Sequence, residues 1–402
     1  MDTKRITEKI ADAARIICAG GLVAVPTETV YGLAGNGLNE TAVREIYEVK
    51  GRPAVKPLSL MVPDESAMEH YCEEVPPQAH ALAKRFWPGP LTIVLKAKPE
   101  IPSIVLAGGE TVGLRCPDHP LTIELLKTCG LPLAAPSANP SGESSPKTAE
   151  AVLGYFDGKI DAVIDGGPCG IGRESTLIDM SRTPYRILRE TALSGETIAQ
   201  ALADELTLIG ITGPSGCGKT TALQELRSFG ALVLDCDEIY HELLESDHEL
   251  LRELELAFPG TVRDAVLDRK ALGRIVFADP DKLLLLNQIS HRFVKKEVNR
   301  RLRAFAMQGG RIAALDAVEL ISAGMAACCA AVVGVLSDAE LRIERIMARD
   351  KISREAALTR IRAQKPDSYY RTHCTHILLN NADREGFAAD CRRLFKEILN
   401  HG

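Results

Sequence analysis

The sequence has no CxxC pair among its eleven cysteines, and the one close pair is Cys328-Cys329. Zinc needs clustered ligands at set spacings, so a zinc module is excluded. Scattered thiols, several inside apolar strands, point to a reducing compartment. The opening MDTKRITEKI has no apolar signal segment, and no run of 18 apolar residues follows. A soluble, cytoplasmic protein with no membrane partner is therefore expected. An excess of basic charge is missing too. Residues 1–205 hold 20 Lys+Arg against 27 Asp+Glu, or −7, and residues 206–402 hold 28 against 27, or +1. Neither half reads as a dedicated nucleic-acid binder, although a local basic groove stays open. There is no internal repeat, no low-complexity segment and no Gly/Ser or Pro linker.

What is present is ordinary globular composition: 402 residues, 46% hydrophobic and 25% charged. That length allows two or three domains. In the first half, short strands such as LVAVP, LTIVLKA, TVGLRC, LPLAAP and STLIDM outnumber helices and are separated by Gly/Pro turns. This predicts a mixed α/β domain around a twisted sheet. In the second half LTLIGITG, ALVLDCDE, RIAALDAV, AAVVGVL and HILLNN alternate with helical stretches. Alternation of that kind predicts a doubly wound parallel sheet. The expected division is residues 1–204 and 205–402.

The second half opens on Gly213-Pro214-Ser215-Gly216-Cys217-Gly218-Lys219-Thr220-Thr221. This fits G-x-x-x-x-G-K-[ST], after a buried strand and before a helix. Glycines let backbone N–H groups wrap a phosphate chain, and the helix adds its N-terminal dipole. Lys219 is expected at the β/γ-phosphates of ATP or GTP, and the Thr220 hydroxyl on Mg²⁺. Asp235 and Asp237 follow at the end of the next strand. Residues i and i+2 of a strand share a face, so both carboxylates are expected to reach the ligand edge. One would take a proton from a substrate hydroxyl and the other would order Mg²⁺ water. The competing reading is that both are helix N-caps, for which Asp237 is well suited.

Residues 206–402 resemble the dephospho-CoA kinases: the phosphate loop, Asp235 and Asp237, FADPDKLLLLNQISH with His291, Arg345, Arg349 and Asp350, Gln364, and Asn380-Asn381. The resemblance implies that Asp237 takes the proton of the ribose 3′-hydroxyl of dephospho-CoA. It also implies that Arg345 and Arg349 close over the ATP phosphates as a lid. The chain departs from the family at His241, where most members have Arg. It departs again at Asp316–Ser322, where Val318 replaces Pro and Ser322 replaces an acid, with Glu319 nearby. These positions line the acceptor side in the family, so another small-molecule acceptor remains open.

In the first half, Lys50, Arg52 and Lys56 make a basic cluster within an acidic domain, which points to a bound anion such as a triphosphate. Ser137 and Asn139 alternate along an extended segment, Ser144, Ser145 and Ser175 add hydroxyls, and Arg115 ends a predicted strand. No Gly-rich phosphate loop and no Ser-His-Asp pattern occurs. The residues alone give an anion or nucleotide site without a reaction. The longer motifs VAVPTETVYGLAGNGLN, EVKGRPAVKPLSLMV, RFWPGPLT, APSANPSGESSPKT and RESTLIDM closely resemble the YrdC-like threonylcarbamoyl-AMP synthases over about residues 5–195. The resemblance implies synthesis of threonylcarbamoyl-AMP from ATP, L-threonine and bicarbonate, with Mg²⁺, for t6A modification of tRNA. It assigns Thr29, Arg115 and Ser175 to threonine. It assigns Lys50, Arg52, Lys56, Thr111, Ser137, Asn139, Ser145 and Arg189 to ATP. One departure is Glu190-Thr191 after Arg189, where the family usually has Gly.

The expectation is thus a bifunctional enzyme using ATP, L-threonine, bicarbonate and dephospho-CoA. Weak tRNA contact, including double-stranded RNA, and the t6A transferase proteins are further expected partners. The alternative is an RNA-binding first half joined to a degenerate ATP sensor.

Overall fold

The computed structural model describes residues 2–401. The chain forms two compact units, Met1–Glu205 with Met307–Gly309, and Leu206–Ala306 with Gly310–Gly402.

The first unit is built on an eleven-stranded mixed sheet. The Val23–Val25 strand is fully buried, as its apolar composition requires. It pairs antiparallel with Gly32–Asn36 and parallel with Ala162–Ile164. Helix Ile10–Cys18 lays Ile10, Ala13, Ala14 and Ile17 on this core, a 3–4 residue spacing that keeps one face apolar. The part of the sheet that matters for function is its other half. Leu91–Ala97 runs antiparallel to Thr111–Arg115 and parallel to Thr176–Asp179. Arg115 at the end of one strand therefore meets Thr92 and Ser175 near the start of the other two. Met61 pairs with Arg115 from the opposite side, along the parallel strand Ser59–Met61.

Helix Glu40–Lys50 starts on Asn39, whose Oδ1 accepts from Thr41 N and Ala42 N at 2.9 and 3.3 Å. It stops at Gly51, which adopts the left-handed conformation at φ 58°. Glycine suits that position because it has no Cβ to clash. The turn separates the directions of Lys50 and Arg52.

The second unit holds a five-stranded sheet, all parallel, in the order Leu232–Asp235, Ile312–Asp316, Thr207–Thr212, Ala331–Leu336, His376–Leu379. The first strand in sequence is central and the chain winds outward on either side of it, which makes the sheet doubly wound. Thr207–Thr212 and Ala331–Leu336 are almost wholly buried, consistent with parallel strands covered on both faces. Register puts Asp235 beside Asp316, and Asp316 beside Ile211, two residues before Gly213. Two acids and the glycine loop thus reach the same carboxyl edge. Among the described residues, no helix is long and apolar enough to cross a membrane.

Candidate active sites

In the first unit, Arg52, Arg115, Ser137, Glu174, Ser175 and Arg189 line a cavity of about 160 Å³. A larger hollow of about 650 Å³, near His70 and Lys127, contains no residue singled out from the sequence. The chemistry favours the smaller cavity, because it gathers three guanidiniums and the motif serines.

Arg115 is the most enclosed of the three arginines. Its Nη2 donates to Glu28 Oε1 at 2.6 Å and to Thr29 Oγ1 at 2.8 Å, and its Nε donates to Gly89 O at 3.2 Å. Burial pulls the guanidinium below its ordinary value, and Glu28 opposes this. Thr92 and Ser175 share a hydrogen bond at 2.8 Å. Arg189 forms an ion pair with Glu174, and its Nε donates to Ser175 O at 3.0 Å. Ser145 Oγ donates to the same Glu174 at 3.3 Å. Arg52 braces its own loop, donating to Lys56 O and Pro57 O. Asn139 is 6% exposed, and its Nδ2 donates to Pro140 O and Glu143 O. Its Oδ1 is buried without a partner, an acceptor that calls for a donor.

Lys50, Lys56 and Thr111, assigned to ATP from the sequence, do not line this cavity, and neither do Thr29, Asn139 and Ser145. Lys50 is buried and outside the cavity wall; its ammonium donates to Ser137 O and Asn139 O. It clamps the Ser137–Asn139 segment from behind, and burial pushes its pKa down to about 8, with Arg52 adding to the effect. Lys56 is exposed. Thr111 starts the strand that Arg115 ends, so at about 3.4 Å per residue it lies roughly 14 Å from Arg115 along that strand.

In the second unit, helix Lys219–Ser228 begins on Gly218 with no side-chain cap. Its first N–H groups are left for an anion. Gly218 has φ +100°, and a Cβ there would lie 2.0 Å from Asn380 Nδ2. Only glycine lets the loop pass so close. Asn380 Nδ2 donates to Cys217 O at 2.9 Å. Lys219 Nζ reaches back to Gly213 O at 3.3 Å.

Asp235 and Asp237 do not share a strand face, contrary to the expectation from their spacing. The strand ends at Asp235, and Asp237 is the second residue of helix Cys236–Ser246. Asp235 is the N-cap, its Oδ1 accepting from Asp237 N at 2.9 Å and Glu238 N at 3.0 Å. The capping role thus falls on Asp235, and Asp237 keeps its carboxylate free of any such bond. Burial raises the Asp237 pKa, with Asp235 adding to the rise and Lys219 opposing it. Asp316 completes the group. Burial raises it to about 6, against the pull of Lys219, and its Oδ1 is buried without a partner.

Arg345 donates to Gly216 O at 3.3 Å, Ser337 Oγ at 3.2 Å and Asn380 O at 3.3 Å. Arg349, one turn on, is exposed and paired with Asp350. The two lid arginines are therefore separated: one braces the loop and the other faces solvent. Arg342, three residues before Arg345 on the same helical face, donates to Ser215 O at 3.1 Å and to Gln364 Oε1 at 2.8 Å. Gln364 in turn donates to Ser215 Oγ at 2.7 Å. Arg342, Glu28, Thr92 and Glu174 were missed from the sequence. The 3-residue spacing to Arg345 was the available signal for Arg342. For Glu174 the signal was an acid directly after Arg173, and for Glu28 it was a lone acid in an uncharged motif, PTETVYGL.

Among the described residues, no three His, Cys, Asp or Glu side chains converge as a metal site. Asp316 and Thr220 nevertheless offer the oxygen chemistry that Mg²⁺ takes when phosphates supply its remaining ligands.

The family model described as Telomere recombination (Sua5/YciO/YrdC) matches residues 15–191, and the one described as Dephospho-CoA kinase matches residues 207–385. Threonylcarbamoyl-AMP synthase of Pyrococcus abyssi is 46% identical over 202 residues, covering 50% of this chain and 59% of that protein. The putative threonylcarbamoyl-AMP synthase of Methanocaldococcus jannaschii is 39% identical over 46% of this chain and 86% of its own length. Dephospho-CoA kinase of Moorella thermoacetica is 34% identical over 48% of this chain and 93% of its own length. The chain thus spans little more than half of the Pyrococcus relative and nearly all of the other two. With both motif sets seated on their own sheets, the chain belongs to the Sua5/YciO/YrdC family over its first half and to the dephospho-CoA kinase family over its second.

Proposed function

We propose that the chain carries two enzymes. The first half joins L-threonine, bicarbonate and ATP into threonylcarbamoyl-AMP and pyrophosphate. The second half transfers the γ-phosphoryl group of ATP to the ribose 3′-hydroxyl of dephospho-CoA.

For the synthase, the carrying observation is the small cavity that ends on Arg115. At about 160 Å³ it is below the roughly 300–1,000 Å³ of a drug-sized ligand site, so it suits the amino acid rather than the nucleotide. Arg115 would take the threonine carboxylate, with Ser175 and Thr29 beside it. Arg52, Arg189, Ser145 and Asn139 would hold ATP over the open side, and Lys50 would act by holding the Ser137–Asn139 segment in place. The threonine amine attacks bicarbonate carbon and water leaves. The carbamate oxygen then attacks the α-phosphorus and pyrophosphate leaves. No side chain acts as nucleophile; positioning and charge stabilisation carry the rate. Pyrophosphate release that requires both threonine and bicarbonate tests this, and release without either would refute it.

For the kinase, the carrying observation is Asp237, an exposed carboxylate in the first turn of its helix, free of capping duty and close to Lys219. It would accept the 3′-hydroxyl proton as the oxygen attacks the γ-phosphorus and the β–γ bond breaks to release ADP. Lys219 and the loop N–H groups would hold the β- and γ-phosphates. Thr220 and Asp316 would hold Mg²⁺, which supplies charge neutralisation to the transferring group. Dephospho-CoA-dependent ADP release tests the assignment. Ser322 hydrogen-bonds to Glu319 on the acceptor side, so ADP release with a different alcohol would mark an altered acceptor.

A further inference from the structure

Glu28 is an acid in a site built for anions, and its placement gives it a purpose. It and Arg115 are enclosed together, with side chains 13% and 8% exposed. Both carboxylate oxygens are used. Oε1 accepts from Arg115 Nη2 at 2.6 Å, and Oε2 accepts from Asp118 N at 2.9 Å. Glu28 therefore ties Arg115 to the loop that follows its own strand. Thr29 Oγ1 holds the same Nη2 at 2.8 Å and is itself fixed by Thr27 Oγ1 at 2.8 Å. Gly89 O holds Nε. Among the described residues, every bond to the guanidinium thus goes to Nη2 or Nε. Nη1 alone has none, and Arg115 lines the cavity.

We propose that Glu28 is a positioning residue for the amino-acid substrate: by engaging Nη2 it presents the Nη1 edge of Arg115 to the substrate carboxylate. This rests on the synthase reading above. A planar guanidinium recognises a carboxylate by direction as well as charge. Two opposite effects follow from removing Glu28. Loss of a competing anion would tighten carboxylate binding, and loss of orientation would weaken it. Orientation dominates here, because two of the three bonds to the guanidinium come from Glu28 and Thr29 of one turn, and Glu28 alone also ties that turn to Asp118 N.

The test uses the full chain with Glu28→Gln and Glu28→Ala, reading KM for threonine and for ATP separately by pyrophosphate release. Glu28→Ala raises the threonine KM about tenfold or more, while the ATP KM stays within about twofold. Glu28→Gln keeps one acceptor oxygen for Arg115 but offers an N–H to Asp118 N, so its rise falls between wild type and Glu28→Ala. A general packing defect would instead raise both constants or lower kcat alone. A threonine KM unchanged or lowered in either variant overturns the proposal. Should Glu28→Ala not fold, Glu28→Gln decides by the same criterion, with a rise of about threefold expected. Should wild type release no pyrophosphate, the synthase reading fails by itself. Calorimetric threonine binding to wild type and Glu28→Gln then decides: weaker binding by the variant supports positioning, and equal or tighter binding, or no binding to wild type, overturns it.

Discussion

Replacing Asp316 with Asn should make the second unit more stable and less active. Asp316 ends the strand Ile312–Asp316, its Oδ1 has no partner, and its pKa rises from 3.8 to about 6. At about 1.4 kcal/mol per pH unit the gap corresponds to roughly 3 kcal/mol. A raised carboxyl contributes stability that is present below pH 3.8 and is lost as pH rises through about 6. At pH 7 the ionised group is therefore a cost to the folded state. Asn removes the charge but keeps a buried acceptor, and partial solvent access screens the effect, so about 1–2 kcal/mol should be recovered. Amide hydrogen exchange over residues 312–316 reads this locally, which matters in a two-unit chain. Exchange in the variant should slow about tenfold at pH 7, and the difference should vanish near pH 4. Exchange as fast as wild type at pH 7, or a gain that persists at pH 4, would refute the reasoning. The cost is retained, on this account, because the carboxylate serves Mg²⁺ and ATP, so the variant should lose kinase turnover.

Gly218→Ala adds a Cβ 2.0 Å from Asn380 Nδ2 at φ +100°; nucleotide affinity of the second unit should fall at least about tenfold, as measured by calorimetry. Arg345→Ala removes contacts to Gly216, Ser337 and Asn380, and should weaken nucleotide binding far more than Arg349→Ala, whose exposed pair with Asp350 is worth only about 0–1 kcal/mol to stability. Kinase kcat/KM should fall on the acid side above the ordinary aspartate range, because burial raises both Asp237 and Asp316; a profile flat down to pH 4 would contradict this.

The two sheets and the phosphate loop were legible because each depends on local pattern. Apolar runs mark buried strands, and G-x-x-x-x-G-K-T places its lysine at a helix start wherever it folds. The Asp235–Asp237 geometry was not legible. A strand and a helix N-terminus differ there by one residue, and the hydrogen bonds that Asp235 Oδ1 accepts from Asp237 N and Glu238 N decide which residue caps. Lys50 and Arg52 looked equivalent in sequence. The left-handed turn at Gly51 separates them, sending one behind the Ser137–Asn139 segment and leaving the other at the cavity. Glu28, Glu174 and Arg342 were missed because their partners lie 15 to 127 residues away; a local pattern can mark such a residue but not what it binds.

The most direct test of the two-enzyme account is ADP formation by the full chain with Mg-ATP, with and without dephospho-CoA, for wild type and Asp237→Asn. The account predicts dephospho-CoA-dependent ADP release in wild type, lowered about 10²–10⁴-fold in the variant with nucleotide affinity retained. ADP release that ignores dephospho-CoA, or that survives the substitution, would contradict it.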